Sequence, residues 1–186
     1  MNIKTTNDDG SNRLIGRMDA LDYIDKTRAY LDYVEEHIKN VHKAFCEIYD
    51  ACSGKWYIGD DASYFKLRDD IQSHDVSKLS LEEFTQYRQK FYPVENESVV
   101  VGAFEAAWEN HKSLNTHHHE SLKTDIDVVH MVIDWTAMGY KFGDTAESYY
   151  EANKERIDLS NAQKEIMFEV FSCIKAHRAS LAKEFL

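Results

Sequence analysis

The sequence predicts an all-α protein built as a single helical bundle of about six to eight helices. Only one proline and seven glycines interrupt the 186 residues, whereas an all-β domain needs a turn signal about every ten residues. Hydrophobic residues make up 43% of the chain, which is enough for one core. We therefore expect a flexible polar arm over residues 1–16 and one helical domain over residues 17–186.

The first helix is indicated by apolar residues between positions 21 and 48. They recur at steps of three, four or seven, the period of a long amphipathic helix. This helix should end near Gly54. A second helix is predicted over residues 62–73, so that His74 and Asp75 would lie at a helix end, where neighbouring side chains can converge.

Start and stop signals predict the remaining elements. Residues 80–83 (SLEE) and 160–163 (SNAQ) have the form of capping boxes, in which two side chains satisfy free amides of the first turn. Gly139 is a suitable stop for the helix that opens at Thr124. These signals predict a loop over residues 56–61 and helices over residues 80–91, 99–113, 124–137, 144–157 and 160–185.

The charge and composition exclude several classes of function. The net charge of −11 disfavours binding to a nucleic-acid polymer. A mean hydropathy of −0.57 argues against a transmembrane helix, and the polar residues 1–10 lack the apolar core of a secretory signal. The three cysteines include no C-x-x-C pair, which suits a reducing compartment. We therefore expect a cytoplasmic protein with no membrane partner.

Histidine carries most of the functional signal. The chain has nine histidines, and imidazole together with carboxylate forms N/O sites for Zn²⁺, Mn²⁺ or Fe²⁺. His37 lies among the apolar residues of the first helix. Asp134 falls between Ile133 and Trp135, where an unpaired carboxylate is costly. A divalent cation would compensate that charge, and a contact with His130 one turn earlier is the alternative.

A second group of polar residues shares one helix face. Trp108, His111 and Asn115 are spaced by three and four residues, which aligns them on a helix. Such a face can stack on a base and hydrogen-bond a sugar, or it can form a polar seam between helices. Both interpretations remain open at this stage.

The order of these residues resembles a known family. An early helical histidine (His37), the dipeptide His74-Asp75 with Lys78 three residues later, and a late helical aspartate (Asp134) are similar to the HD superfamily of metal-dependent phosphohydrolases. The pattern HDxSK…AWxxHxxxNxHH resembles a bacterial and phage group within that superfamily. The likeness spans about residues 33–157.

The resemblance implies a metal site with one or two ions. The first metal would be bound by His37, His74, Asp75 and Asp134, with Asp75 bridging to a second metal. His111 and the histidines at 117–119 occupy the interval in which two-metal relatives carry extra ligands. Within that triplet we favour His118 first and His117 next.

The resemblance also implies a hydrolytic activity. Asp75 and Lys78 would be catalytic, with Lys78 acting as a point charge on a phosphate, and Lys78, Trp108 and Asn115 would contact the substrate. The substrate would be a small nucleotide whose phosphoester or phosphoanhydride bond is hydrolysed by a metal-activated water. The ion would be Mn²⁺, Mg²⁺, Co²⁺, Fe²⁺, Ni²⁺ or Zn²⁺.

Two alternatives come from other classes of function. One is a di-iron oxygenase, as in the inositol-oxygenase-like branch of the superfamily. The other is a non-enzymatic module that binds a nucleotide or a partner, for example in phage–host conflict in the host cytoplasm. The cyclic-dinucleotide branch is disfavoured because the interval from His74 to Asp134 is short and the Gly-Tyr-Pro signature is missing. A homodimer is left open.

Overall fold

The computed structural model describes residues 4–6, 12–14 and 18–184. These residues form eight α-helices, one 3-10 turn and one short hairpin, which confirms the all-α class and the expected number of helices. The hairpin pairs Lys4–Thr6 antiparallel with Asn12–Leu14. The rest of the predicted flexible arm over residues 1–16 lies outside the described residues.

The longest helices are the first and the last. In chain order the helices are α1 Ala20–Ala51, α2 Trp56–Gly59, α3 Asp61–Gln72, α4 Phe84–Phe91, α5 Ala103–Leu114, α6 Asp125–Phe142, α7 Ala146–Asn153 and α8 Asn161–Glu184. The 3-10 turn is Val76–Leu79. Among the helices described, none is long and apolar enough to cross a membrane.

The chain divides into two compact units. The first unit comprises Met1–Val34 and Ser77–Asn110, and the second comprises Glu35–Val76 and His111–Leu186. Helices α1 and α5 each contribute residues to both units. That residues 17–186 form one domain remains a prediction.

In the first unit, Glu83 has a different role from the one its sequence suggests. Its side chain is fully buried and accepts hydrogen bonds from Ser77 Oγ at 3.0 Å and Asn110 Nδ2 at 2.8 Å. The Ser80 hydroxyl has no hydrogen-bond partner among the described residues, and α4 begins only at Phe84. The predicted capping box at residues 80–83 is therefore wrong, because the Glu83 carboxylate serves as a buried acceptor.

A buried arginine organises the rest of the first unit. Arg88 is fully buried and forms an ion pair with Glu97. Its guanidinium lies 4.7 Å from the centroid of the Tyr23 ring and donates to the Tyr92 carbonyl oxygen at 3.2 Å. A buried guanidinium requires partners of this kind, because an unpaired buried charge is strongly unfavourable.

The core of the second unit is built around α6. This helix contacts α3, α7 and α8, and burial on nearly every side is typical of a central helix. Burying one of its large apolar side chains contributes about 1.5–3 kcal/mol. The buried apolar residues of α6 are Ile126, Val128, Val129, Met131, Val132, Ile133 and Ala137.

The end of α6 differs from the prediction. The helix continues past Gly139 to Phe142 and ends at Gly143, which has a φ of +73°, a conformation that glycine adopts without strain. Gly139 serves close packing, because a Cβ there would lie 2.6 Å from the backbone oxygen of Asp144. The predicted stop at Gly139 is therefore wrong by one helical turn.

Two other local predictions have opposite outcomes. The capping box that precedes α8 is confirmed, since Ser160 N donates to Gln163 Oε1 at 2.9 Å and Gln163 N donates to Ser160 Oγ at 3.2 Å. The predicted loop over residues 56–61 instead contains the four-residue helix α2. Tyr57 and Ile58 are buried there, so tertiary packing stabilises a helix too short to form alone.

Candidate metal centre

The four residues predicted as the first ligand set meet in the second unit. His37 lies on α1, His74 and Asp75 follow the Ser73 cap of α3, and Asp134 lies on α6. His37 Nε2 is 3.0 Å from His74 Nε2 and 3.3 Å from Asp75 Oδ2. It is also 3.2 Å from Asp134 Oδ1.

The distances that join His37 and His74 to each other and to the two carboxylates fit a divalent cation. His74 Nε2 is 3.4 Å from Asp75 Oδ2 and 3.6 Å from Asp134 Oδ1. Ligand atoms placed about 2.1 Å from a common ion are separated by about 3.0 Å in an octahedral and about 3.4 Å in a tetrahedral arrangement. Two imidazole nitrogens and two carboxylate oxygens are donors that Zn²⁺, Mn²⁺ and Fe²⁺ accept. We call these four residues the first ligand set.

An unusual backbone conformation brings His74 and Asp75 to the same point. Asp75 has a φ of +58°, in the left-handed region that aspartate and asparagine tolerate better than most residues. This residue comes two positions after the Ser73 cap of α3, so the chain turns sharply there. The two consecutive side chains can therefore face the same atoms of His37.

Asp75 also faces a second group of histidines. Its other oxygen, Oδ1, lies 3.2 Å from His111 Nε2 and 3.5 Å from His117 Nε2. Ligand atoms of His111, His117 and His118 all lie within 4.8 Å of one another. We call Asp75, His111, His117 and His118 the second ligand set. Asp75 thus presents one oxygen to each set, the arrangement of a bridging carboxylate.

The structure separates the members of the histidine triplet. His117 is buried and contacts Asp75, and His118 is half-buried beside it. His119 Nε2 instead lies 3.3 Å from Glu120 Oε2, and it belongs to no ligand group among the described residues. Direct contact with Asp75 therefore assigns His117 a more central position than the sequence suggested.

A network around Asp127 holds the loop that carries the triplet. Asp127 accepts hydrogen bonds from Thr116 Oγ1 at 2.8 Å and from Lys66 Nζ at 2.9 Å. It also accepts from the backbone nitrogens of Lys123 at 3.0 Å and Thr124 at 2.7 Å. Thr116 directly precedes His117, so this carboxylate anchors both ends of the loop to α6. The sequence signal for this network is the T-x-x-D spacing of Thr124 and Asp127, which by itself indicates only the start of a helix.

Comparison with known proteins gives a match to a protein family. A family model matches residues 26–179, a range that contains both ligand sets, and its description is a family of unknown function, DUF5662. The chain belongs to the DUF5662 family. No curated protein and no solved structure matches it.

In this DUF5662 member, His130 contacts His74 of the first ligand set on the ring nitrogen that does not face His37. Its Nε2 atom lies 2.9 Å from His74 Nδ1, and its ring is buried on α6. Asp134 contacts His37 and His74, so the alternative pairing of Asp134 with His130 is not what the structure contains. Sequence reasoning missed the role of His130, although its position one turn before Asp134 places both on one helix face.

The electrostatics of the DUF5662 site reflect burial and paired charges. Burial alone would lower the pKa of His37, but hydrogen bonds to Asp134 and Asp75 raise that pKa to about 9. Burial would raise the pKa of Asp134, and the His37 hydrogen bond holds it well below its usual range. Burial lowers the pKa of His130 to about 3 and that of His117 well below its usual value. Cationic charge therefore concentrates beside the carboxylates, and His117 and His130 are neutral at pH 7.

The remaining predicted site residues are divided between the two units. Asn115 lies in the second unit, where its Nδ2 donates to the His111 carbonyl oxygen at 2.8 Å and lies 3.2 Å from His111 Nδ1. Lys78 and Trp108 belong to the first unit. Lys78 Nζ lies 5.7 Å from the centroid of the Tyr87 ring. The substrate roles of Lys78 and Trp108 remain predictions.

Proposed function

We propose that this protein is a metal-dependent phosphohydrolase of the HD superfamily that acts on a small nucleotide. The observation that carries the proposal is the bridging position of Asp75, with Oδ2 3.3 Å from His37 Nε2 and Oδ1 3.2 Å from His111 Nε2. The order of the first ligand set along the chain supports membership in that superfamily. The proposed bond is a phosphoester or a phosphoanhydride.

Two ligand sets would hold one or two divalent ions. A bound Mn²⁺, Mg²⁺, Co²⁺, Fe²⁺, Ni²⁺ or Zn²⁺ lowers the pKa of a coordinated water and neutralises charge on phosphoryl oxygens. The first set offers two nitrogens and two oxygens, and the second offers three nitrogens and one oxygen. Asp75 belongs to both sets and fixes their separation.

The residues of the centre differ in exposure. The side chains of these two residues are 0% and 1% exposed, whereas that of Asp134 is 14% exposed. His118 is also half-buried. A substrate phosphate would therefore approach past Asp134 and His118, while the buried residues hold the geometry.

The predicted substrate roles of Lys78 and Trp108 are part of the proposal. The chain carries a net charge of −11, so attraction of a phosphate depends on local positive charge at the centre. Lys78 would add a point charge, and Trp108 would stack on a base. Asn115 Nδ2 lies 3.2 Å from His111 Nδ1, so we assign Asn115 to orienting that ligand.

The expected setting follows from the cysteines. Cys46, Cys52 and Cys173 are all free thiols, which supports the proposed cytoplasmic location. A small nucleotide is the proposed partner, and a homodimer, a phage origin and a role in phage–host conflict stay predictions.

One experiment tests the proposal and separates it from its alternatives. Protein purified without chelators is analysed for bound metals and incubated with a panel of nucleotides and Mn²⁺, Mg²⁺ or Co²⁺. We expect bound metal and phosphate release that Asp75→Asn abolishes and His119→Gln preserves. Iron content with oxygen consumption would favour the di-iron oxygenase, and tight nucleotide binding without turnover would favour the binding module. Absence of both bound metal and turnover would overturn the proposal.

A further inference from the structure

We infer that His130 is a positioning residue that fixes the proton of His74 on Nδ1 and so leaves His74 Nε2 free to bind a cation. The inference rests on the proposed function only in requiring that the first ligand set binds a divalent metal. It concerns His130, which belongs to neither of the two ligand sets defined above, although one of its ring nitrogens lies within 4.8 Å of ligand atoms of His74 and His117.

Each ring nitrogen of His74 lies within hydrogen-bonding distance of another imidazole. On one side, His74 Nδ1 lies 2.9 Å from His130 Nε2. On the other, His74 Nε2 lies 3.0 Å from His37 Nε2. The side chain of His74 is completely buried, so these contacts decide which of its nitrogens carries the proton.

A proton count assigns the direction of both contacts. A neutral imidazole has one N–H and one lone pair, and a hydrogen bond between two imidazoles needs one of each. Carboxylates only accept, and His37 Nε2 lies 3.2 Å from Asp134 and 3.3 Å from Asp75. The corresponding distances from His74 Nε2 are longer, at 3.6 and 3.4 Å. His37 therefore carries the proton at this meeting point, and His74 Nε2 presents its lone pair.

The remaining proton of His74 then lies on Nδ1. It is donated to His130 Nε2, which accepts with its lone pair, and His130 carries its own proton on Nδ1. The opposite arrangement, with His130 Nε2 donating, would move the His74 proton to Nε2 and direct it at the cation position. Only the first arrangement permits His74 to act as a ligand, and no proton enters or leaves the His74–His130 pair.

An imidazole is an unusual hydrogen-bond acceptor for the second N–H of a metal-binding histidine. Metal-binding histidines commonly donate their second N–H to a carboxylate, a backbone carbonyl or water. Here the acceptor is another imidazole, and its Nδ1 is buried with no hydrogen-bond partner among the described residues. A residue kept only for packing would not need this polar atom, because an apolar side chain fills such a position without leaving a polar group unpaired.

Two substitutions separate positioning from packing. His130→Leu removes the acceptor, and His130→Gln restores an acceptor oxygen. His42→Leu is the matched control, because His42 is exposed on α1. Zn²⁺ affinity is measured by chelator competition at less than one equivalent, and the melting temperature is measured without metal.

We expect His130→Leu to weaken Zn²⁺ binding about 10- to 100-fold and to leave the metal-free melting temperature unchanged or higher. His130→Gln should recover most of the affinity, and His42→Leu should match the wild type. Unchanged affinity in His130→Leu would overturn the inference. So would equal losses in both variants together with a lower melting temperature, which is the signature of a structural role.

Nitrogen-15 NMR of the wild-type histidines provides the second measurement. We expect protons on Nδ1 of both His74 and His130, with and without Zn²⁺. A proton on His130 Nε2 would overturn the inference even if a variant failed to fold. A wild-type protein that binds no divalent metal would instead refute the proposed function, while the NMR result would still establish the direction of the His74–His130 contact.

Discussion

His37 and His74 bring their Nε2 atoms to within 3.0 Å of each other across 37 positions of sequence. Two nitrogen lone pairs repel at this distance unless a proton or a cation lies between them. The contact joins α1 to the residues that follow α3, and two carboxylates surround it. The meeting of two imidazoles and two carboxylates at one point is the reason to treat the cluster as a candidate cation site.

Replacing Asp75 should remove metal from both ligand sets. Asp75→Asn keeps the shape of the side chain and tolerates a φ of +58°, so the fold should survive. Asp75→Ala should lose metal equally and should unfold with about 1–2 kcal/mol less free energy, because alanine is strained in the left-handed region. Elemental analysis, circular dichroism and urea unfolding measure these effects. Two equivalents of metal retained by Asp75→Asn would contradict the bridging role.

The histidine triplet offers a matched pair of variants. His118→Gln should lower the metal content by one equivalent, because His118 belongs to the second ligand set. His119→Gln should leave metal content unchanged, because His119 pairs with Glu120. Elemental analysis of the two variants side by side is the measurement. Equal losses in both would place His119 in the centre and disprove the assignment.

Much of the fold was predictable because it depends on local patterns. The hydrophobic period of α1 and the capping box at Ser160 each depend on residues that are close in sequence, and both predictions are confirmed. Glu83 has the sequence position of a capping-box residue but does not cap a helix. Its carboxylate instead accepts a hydrogen bond from Asn110, which lies 27 positions away in the sequence. Contacts between residues so distant in sequence depend on tertiary packing, whereas a capping rule considers only neighbouring residues.

The candidate site also contains residues that the sequence predicted and residues that it did not. His37, His74, Asp75 and Asp134 were found because their order resembles a family pattern. His130 and Asp127 act on other residues, and their importance depends on which atoms they meet in three dimensions. His130 was visible only as a neighbour of Asp134 on one helix face, so the sequence suggested the wrong partner.

Asn115 should affect the affinity of the second ligand set for a metal ion. For His111 Nε2 to bind a metal, His111 Nδ1 must carry a proton and needs an acceptor. The Asn115 amide nitrogen now lies 3.2 Å from that atom, so the amide has to turn to offer its oxygen. Asn115→Asp supplies a permanent acceptor and should tighten the second binding step, whereas Asn115→Leu should weaken it about tenfold.

Calorimetric titration with Mn²⁺ resolves the two steps. The first step should be the same in both Asn115 variants, which serves as the internal control. Identical second steps in Asn115→Asp, Asn115→Leu and the wild type would mean that Asn115 does not orient His111.

Asp127 should make stability depend on pH. Burial would raise its pKa, but hydrogen bonds from Lys66, Thr116 and Thr124 lower it below the usual value, which is about 3.9 in an unfolded chain. A depressed carboxyl pKa stabilises the fold above about pH 4, and this contribution disappears as the pH falls through the folded-state pKa. Asp127→Asn should therefore reduce the free energy of unfolding by about 1–3 kcal/mol at pH 7.

Urea unfolding of the wild type and Asp127→Asn from pH 7 to pH 3 measures this effect. The difference between the two proteins should shrink as the pH falls below about 4, because the Asp127 carboxyl of the unfolded chain is protonated there before that of the folded protein. A difference that stays constant over the range would show that the Asp127 charge does not hold the loop.

Anomalous X-ray diffraction from Mn²⁺-loaded crystals tests the central claim most directly. We expect one peak within about 2.0–2.3 Å of the four ligand atoms of the first ligand set, which include Asp75 Oδ2. At full occupancy a second peak should lie beside Asp75 Oδ1. Crystals loaded with Mn²⁺, Zn²⁺ or Fe²⁺ that show no peak at coordination distance from Asp75 would contradict the account.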